Sequence, residues 1–445
     1  MDKLSRKNMI FVSLMLFSMF FGAGNLIFPP FLGQSSGALT WISMAGFITS
    51  AIGLPILAVA AVSKTGGLYN LAKKVHPFFG FTFTIIIYLA IGPFLGIPRA
   101  GSLAFEMGIY PFLSDGLKSN GYVLLLYTLI YFSIAFWLSL TPSKLVDRFG
   151  KILTPILLML ISIIFISSLF TPVGKFSMPT EEYAKNPFFK GFLEGYMTMD
   201  AIAALNFGIV IAVTLKRMGV RKEEEIVSHS IKAGLIAGFF LLVVYAMLAY
   251  LGAVSQVKFG EATNGAVALT NMVLYLFGKP GAVLLGVIFS LACLTTSVGL
   301  ITSCSEYFTS LNSKVSYKVW VIILSVSSMT LANMGLTKIL KISVPVLTAI
   351  YPMAITLILL SFTNKFLKDK SNVYLFSIIS VSIISVTKSL GQFGLKLDFM
   401  TNLFKYLPFY SIGLEWITPA ITGAIIGFVF SSNKIEEMEY DSNYV

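Results

Sequence analysis

Twelve apolar runs, each close to bilayer-crossing length, follow one another along this chain with only short connections between them. They lie at about 8–32, 38–62, 78–105, 121–140, 150–171, 189–215, 231–254, 276–305, 317–333, 342–362, 372–390 and 408–430. Hydrocarbon offers no hydrogen-bond partner to a backbone N–H or C=O, so runs of this length are helices. The 445 residues are 56% hydrophobic and 12% charged, against about 25% charged in a soluble domain. The expectation is an all-α integral membrane protein forming one bundle of about twelve transmembrane helices. The first run is too long, and lacks the small-residue pattern, for a cleaved signal. An acidic tail, 431–445, follows the last run and is expected to be cytoplasmic and disordered.

The net charge of +12 belongs to loop placement, not to nucleic-acid binding. With the N-terminus inside and each run crossing once, inside segments carry nearly twice as many Lys and Arg as outside segments. That bias is the one expected with both termini cytoplasmic. The densest inside loop, Lys216 to Lys222 followed by Glu223-Glu224-Glu225, reads as solvated chain beside anionic lipid headgroups.

Two runs are interrupted at mid-depth. The first contains Gly22-Ala23-Gly24-Asn25 and the sixth contains Glu194-Gly195-Tyr196-Met197-Thr198-Met199-Asp200-Ala201. Broken helix in the bilayer persists only where it is buried in protein or lines a cavity. Paired breaks at matching places in two halves point to a transporter site. They suggest a five-plus-five inverted repeat (8–171 and 189–362) with two extra helices (372–430). The third run carries its own interruptions, Gly92-Pro93 and Gly96-Ile97-Pro98.

The breaks supply chemistry. The half-helix beginning near Gly24-Asn25 presents free N–H groups and a positive dipole end, which suit a carboxylate. The half-helix ending near Ser18 to Phe21 presents carbonyls, which suit Na⁺ or an ammonium, and Asn25 adds a side-chain oxygen. Close packing by the glycines, with Asn25 bonded to a neighbour, is the alternative. Asp200 needs a partner at this depth: a substrate ammonium, Na⁺, a coupling proton, or Arg99. Arg99 and Glu106 share a helix face and could form an ion pair or polar gate, or Glu106 could sit in the outer interface. In the eighth run, Ala292, Thr295 and Thr296 fall on one helix face and offer a carbonyl and two hydroxyls to a monovalent cation, beside Ser297. Such hydroxyls also bond commonly to their own helix.

Other chemistries are excluded by what is missing. There is no His-x-x-x-His pair, no Cys-x-x-Cys and no G-x-x-x-x-G-K-[ST], so zinc and P-loop readings fall away. Cys293 and Cys304, about 16 Å apart on one helix, are too far apart to pair. No nucleophile, base and metal cluster suggests an enzyme, and no cofactor is expected. Gly234-x-x-x-Gly238 and Gly423-x-x-x-Gly427 read as packing faces.

The stretch Phe20-Phe21-Gly22-Ala23-Gly24-Asn25-Leu26-Ile27-Phe28-Pro29-Pro30 resembles the first-helix signature of the bacterial branched-chain amino acid carriers (the BrnQ or LIVCS family). The Glu194 to Ala201 and Thr295-Thr296-Ser297 stretches are similar to that family's sixth- and eighth-helix motifs. The resemblance covers nearly the whole chain. It implies Na⁺- or H⁺-driven uptake of leucine, isoleucine and valine across the bacterial cytoplasmic membrane, and kinship with the LeuT-type fold. It further implies a substrate zone of Gly22, Ala23, Gly24, Asn25, Asp200 and Ala201, with the Ala23 and Gly24 amides on the carboxylate. The Na⁺ ligands it implies are Ser18, Phe21, Asn25, Ala292, Thr295, Thr296 and Ser297. One departure is that no arginine precedes Pro29, where some LeuT-type carriers place a gate. Carriage of another small neutral amino acid, or a receptor that binds without translocating, are the alternatives.

Overall fold

The computed structural model describes residues 4–118, 121–171, 173–367, 371–395 and 397–431. The expected tail at 431–445 lies, beyond Ser431, outside the described residues. The described residues are helical, with no strand among them. In chain order the helices are α1 (Arg6–Phe20), α2 (Ala23–Ser36), α3 (Thr40–Ile48), α4 (Leu54–Thr65), α5 (Leu68–Lys73), α6 (Pro77–Leu89) and α7 (Gly96–Gly108). Then come α8 (Asp115–Lys118), α9 (Gly121–Ser139), α10 (Thr154–Phe170), α11 (Glu181–Lys185), α12 (Pro187–Tyr196), α13 (Asp200–Arg217) and α14 (Glu223–Phe259). The last seven are α15 (Gly265–Phe277), α16 (Lys279–Leu311), α17 (Tyr317–Ala332), α18 (Leu336–Leu367), α19 (Ser371–Gln392), α20 (Asp398–Phe404) and α21 (Ile417–Val429).

Among the described residues eight helical stretches are long and apolar enough to cross a bilayer, or nine with the bent pair α12 and α13 counted as one. The helices α1, α17 and α21 are shorter. The last expected run, 408–430, contracts to Ile417–Val429, because Phe409 and Gly413 take left-handed backbone and turn the chain before it. An additional helix that the hydropathy reading did not separate, α15, packs against α2, α14 and α16.

Both expected breaks are present. α1 ends at Phe20 and α2 begins at Ala23, with Gly22 extended between them (φ −126°, ψ −152°). α12 and α13 are bent by 43° across Met197–Met199, and Met199 holds a left-handed conformation at φ 68°. A methionine there is strained, and such strain persists only where its surroundings hold it. The third run is also interrupted: Gly92 leaves helical geometry (φ −81°, ψ −116°) between α6 and α7. That kink re-aims α7, which carries Arg99.

Glycines set which helices ride together. A Cβ on Gly33 would stand 1.9 Å from Ala249 O, and one on Gly252 would stand 1.9 Å from Pro30 O. Thus α2 and α14 interlock backbone to backbone. Gly46 and Gly191 lock α3 to α12 in the same reciprocal way, against Phe188 O and Ser43 O. Small residues of this kind let membrane helices approach closely. One body therefore gathers α1–α4 and α12–α14, and a second gathers α7, α9, α16 and α17, with α1, α2 and α13 meeting α7 and α16 along the seam. Gly423 and Gly427 fit α21 against the backbone of α19, the packing role their spacing predicts. Gly238 meets Ile56, while Gly234 stands 3.9 Å from Val59 and carries little of that contact.

Candidate functional site

The two breaks meet at one place. Gly22, Ala23, Gly24 and Asn25 from the first, and Thr198, Met199 and Asp200 from the second, line a common cavity of about 30 Å³. The wall is completed by apolar Ile91, Ala100, Ala203 and Leu300, with Arg99 and Thr296. This space holds a water or two, not an amino acid. A vestibule of about 710 Å³ approaches it from the α2 side, lined by Ile27, Phe28, Phe31, Glu106 and Leu336 among others. Ala23, Gly24 and Arg99 line both spaces, so they form the partition between them.

Free helix ends face this region. Among the described residues, the N–H groups of Ala23, Gly24 and Asn25 find no hydrogen-bond acceptor, and the carbonyls of Met19, Phe20 and Phe21 find no donor. The start of α2 thus offers donors with a positive dipole end, and the end of α1 offers acceptors. A zwitterion carries the complementary pair of charges.

Asn25, 1% exposed, holds the break in shape. Its Oδ1 accepts the Gly22 N–H at 3.1 Å. Its Nδ2 donates to Asp200 Oδ2 at 2.5 Å and to Tyr245 Oη. Tyr245 Oη donates to the same Asp200 oxygen at 3.1 Å, and its ring is held edge-on by Phe47. Asp200 begins α13, where the helix dipole favours a carboxylate. Its own N–H approaches Thr198 Oγ1 at 3.4 Å. The Asn25 oxygen that the resemblance assigns to an ion is therefore committed to the Gly22 amide in this geometry.

Arg99 is buried, 7% exposed. Its Nη1 donates to Met197 O at 3.1 Å, a carbonyl freed by the break in the sixth run. Arg99 thus ties α7 to the second break, and among the described residues no ion pair joins it to Glu106. Gly24 lies directly against it: a Cβ there would stand 2.6 Å from Arg99 Nη2 and 2.9 Å from Thr198 Cα. Overpacking of this kind costs about 1–3 kcal/mol. Gly24→Ala is expected to lower transport about tenfold or more, measured as solute uptake into proteoliposomes. Unchanged uptake would mean that this contact is not kept in the transport cycle.

A second oxygen cluster lies one turn below the break. Thr295 Oγ1 is 3.0 Å from both Ser18 O and Ala292 O, and Thr296 Oγ1 is 3.4 Å from Ser18 O. All four oxygens are neutral, and in this geometry the two hydroxyls donate to these carbonyls, Thr295 bonding back to its own helix at Ala292 O as well as across to Ser18 O. Among the described residues no group of three His, Cys, Asp or Glu could hold a metal. Ser297 does not join the cluster: its Oγ lies 2.9 Å from Tyr131 Oη on α9, because one residue further turns it about 100° around the helix. Phe21 stacks its ring on Phe17 at 5.1 Å, and Ala201 lies buried on α13 beneath Asp200, off the cavity wall. Tyr245 was missed by sequence reasoning. Its only signal was a phenol in an apolar run, where a buried O–H needs a partner.

Comparisons with known proteins give the family and the fold. A family profile described as "Branched-chain amino acid transport protein" matches residues 5–434. The branched-chain amino acid permease BrnQ of Bacillus subtilis is 45% identical over 432 residues, covering 96% of this chain and 98% of that protein. The branched-chain amino acid transport system 2 carrier protein of Pseudomonas aeruginosa is 40% identical over 430 residues, covering 96% and 97%. Among solved structures, Mhp1, a nucleobase-cation-symport-1 family transporter in a closed conformation, superposes with a TM-score of 0.62 at 13% identity, covering 95% of this chain and 91% of that one. MhsT in complex with L-phenylalanine superposes with a TM-score of 0.58 at 15% identity, covering 96% and 98%. These establish the LeuT-type fold. The chain is no enzyme; it belongs to the branched-chain amino acid transport protein family.

Proposed function

We propose that the protein is a cation-coupled symporter that imports branched-chain amino acids across a bacterial cytoplasmic membrane by alternating access, with both termini cytoplasmic. The observation that carries this reading is the meeting of two helix breaks, with unpartnered N–H groups and carbonyls, at one small cavity. The substrate carboxylate sits on the Ala23 and Gly24 amides, its ammonium near the α1 carbonyls and Asp200. The aliphatic chain lies against Ile91, Ala100, Ala203 and Leu300. Discrimination among leucine, isoleucine and valine is shallow, since one methylene is worth about 1–3 kcal/mol.

The helix breaks are equivalent members of two repeats, 8–171 and 189–362, with 372–430 appended. Movement of the α1–α4 and α12–α14 body against the α7, α9, α16 and α17 body opens the site alternately to the vestibule and to a cavity of about 520 Å³ near Tyr69, Lys216 and Tyr307 at the opposite end. For the cavity to admit an amino acid, Arg99 must release Met197 or move with it.

Na⁺ at Ser18 O, Ala292 O, Thr295 Oγ1 and Thr296 Oγ1 bridges the two bodies and so favours one arrangement over the other, which is how a ligand shifts a conformational equilibrium. A second reading, proton coupling, is favoured by Asp200: a buried carboxylate held by Asn25 and Tyr245. Leucine flux in proteoliposomes, with Na⁺ and pH gradients imposed separately, tests both. Leucine accumulation driven by neither gradient would overturn the symport proposal. Thr295→Val is expected to raise the half-saturating Na⁺ concentration about tenfold, one lost oxygen ligand costing about 1–3 kcal/mol. An unchanged Na⁺ dependence would remove the ion from this cluster.

A further inference from the structure

A separate cavity of about 290 Å³ lies between α12, α18, α19 and the turn that leads into α21. Three side-chain oxygens on its wall carry no hydrogen-bond partner from the described residues although they are buried: Tyr196 Oη, Ser385 Oγ and Glu415 Oε2. The residues themselves are 7%, 2% and 2% exposed. The other Glu415 oxygen is engaged, taking Lys388 Nζ at 2.5 Å. Buried polar atoms left unsatisfied cost about 1–3 kcal/mol each, and native proteins carry few of them. Three around one cavity mark a place built to receive a polar group.

The chemistry of that group follows from the wall. A carboxylate oxygen only accepts, and the two hydroxyls accept as readily as they donate. A partner that donates to all three satisfies them together, and an ammonium, with three N–H donors, is one such group. The volume is far beyond that of a bare cation. Leu347, Pro352, Ile384 and Trp416 supply an apolar side, while Lys190 and Lys388 supply positive charge at the edge. Lys190 already bridges Glu182 at 2.7 Å and Glu194 at 3.4 Å. Glu194 lines both this cavity and the vestibule, so the two spaces share a wall.

We infer that this cavity is a second binding site for a zwitterionic amino acid with an apolar side chain, its ammonium on Glu415, Tyr196 and Ser385 and its carboxylate toward the lysines. The inference rests on the substrate class proposed above and adds a place for it outside the helix breaks. The occupant lies against α12, the half-helix that precedes the second break, and so senses or sets the position of that helix.

The test is ligand protection of an introduced thiol. The two native cysteines are both fully buried, and Gln392, at the exposed edge of the cavity, is replaced in Gln392→Cys. Maleimide labelling of the purified, full-length variant is expected to slow about tenfold when L-leucine is present at about nine times its dissociation constant. The protection should persist when Asn25→Leu disables the central site. It should be lost in Glu415→Gln and in the milder Tyr196→Phe, Ser385→Ala double variant, which leaves the Lys388–Glu415 pair intact. No protection by leucine, protection that vanishes with Asn25→Leu, or equal protection by sodium chloride alone would each overturn the site. Leucine flux on the same preparation separates the two ideas: flux without protection overturns this site alone, whereas absent flux overturns the substrate class beneath it.

Discussion

Replacing Asn25 by leucine is expected to cut leucine uptake on the order of 100-fold while the protein still reaches the membrane. Leucine keeps the branching of asparagine but neither donates nor accepts, and its methyl groups cannot approach Asp200 and Tyr245 as closely as the amide does. It removes the donor that Asp200 takes at 2.5 Å, and hydrogen bonds to charged groups are worth about 1.5–3 kcal/mol. It also uncaps the Gly22 N–H, bonded at 3.1 Å to Asn25 Oδ1, a loss of about 1 kcal/mol for a typical cap. Together these approach 3 kcal/mol, or about two decades. Tyr245→Phe keeps the cap and one of the two donors to Asp200, so its loss should be the smaller. Uptake assays in proteoliposomes, normalised to protein recovered in the membrane, measure both. Asn25→Leu uptake within twofold of the parent would mean that the break does not hold the substrate.

Gly252→Ala should be the most destabilising of the single-methyl additions along α14. The new Cβ would stand 1.9 Å from Pro30 O and 2.6 Å from Pro30 C, and a main-chain carbonyl cannot swing aside as a side chain can. The two backbones must part, and with them the reciprocal contact of Gly33 on Ala249 O. A loss above about 4 kcal/mol is expected, at the extreme of single-residue effects. Gly234→Ala, on the same helix but with its nearest neighbour at 3.9 Å, should stay within about 1 kcal/mol of the parent, since alanine is the better helix former. Thermal unfolding of the two purified variants in the same detergent makes the comparison. Equal shifts would show that the α2–α14 interlock contributes nothing.

The breaks were legible before any coordinates because glycine, asparagine and aspartate stand out against hydrocarbon-compatible neighbours. Asn25 and Asp200 announced themselves in this way, and they meet. Tyr245 did not, for it is separated from Asp200 by 45 positions and from Asn25 by 220, and nothing local to an apolar run says which helix it faces. Arg99 was visible as a charge out of place, with Glu106 and Asp200 both open as its partner. The kink at Gly92 and the freed carbonyl of Met197 redirect it. Thr295 and Ser297 look alike as text, yet one reaches Ser18 O and the other Tyr131. The angle between successive helix residues separates them.

The unbroken succession of apolar runs, their two polar interruptions and the placement of lysine and arginine determined, without coordinates, a helical membrane protein with two runs broken at mid-depth. Such properties are local: they depend on what a bilayer tolerates residue by residue. Only the tertiary structure decided that the interruptions share one cavity, that Tyr245 completes the polar cluster, and that Arg99 stands with Ala23 and Gly24 between that cavity and the vestibule. Those relations join residues on different helices, and in a membrane the choice of neighbour rests on close fit between small residues, since hydrophobicity gives one apolar helix little preference over another.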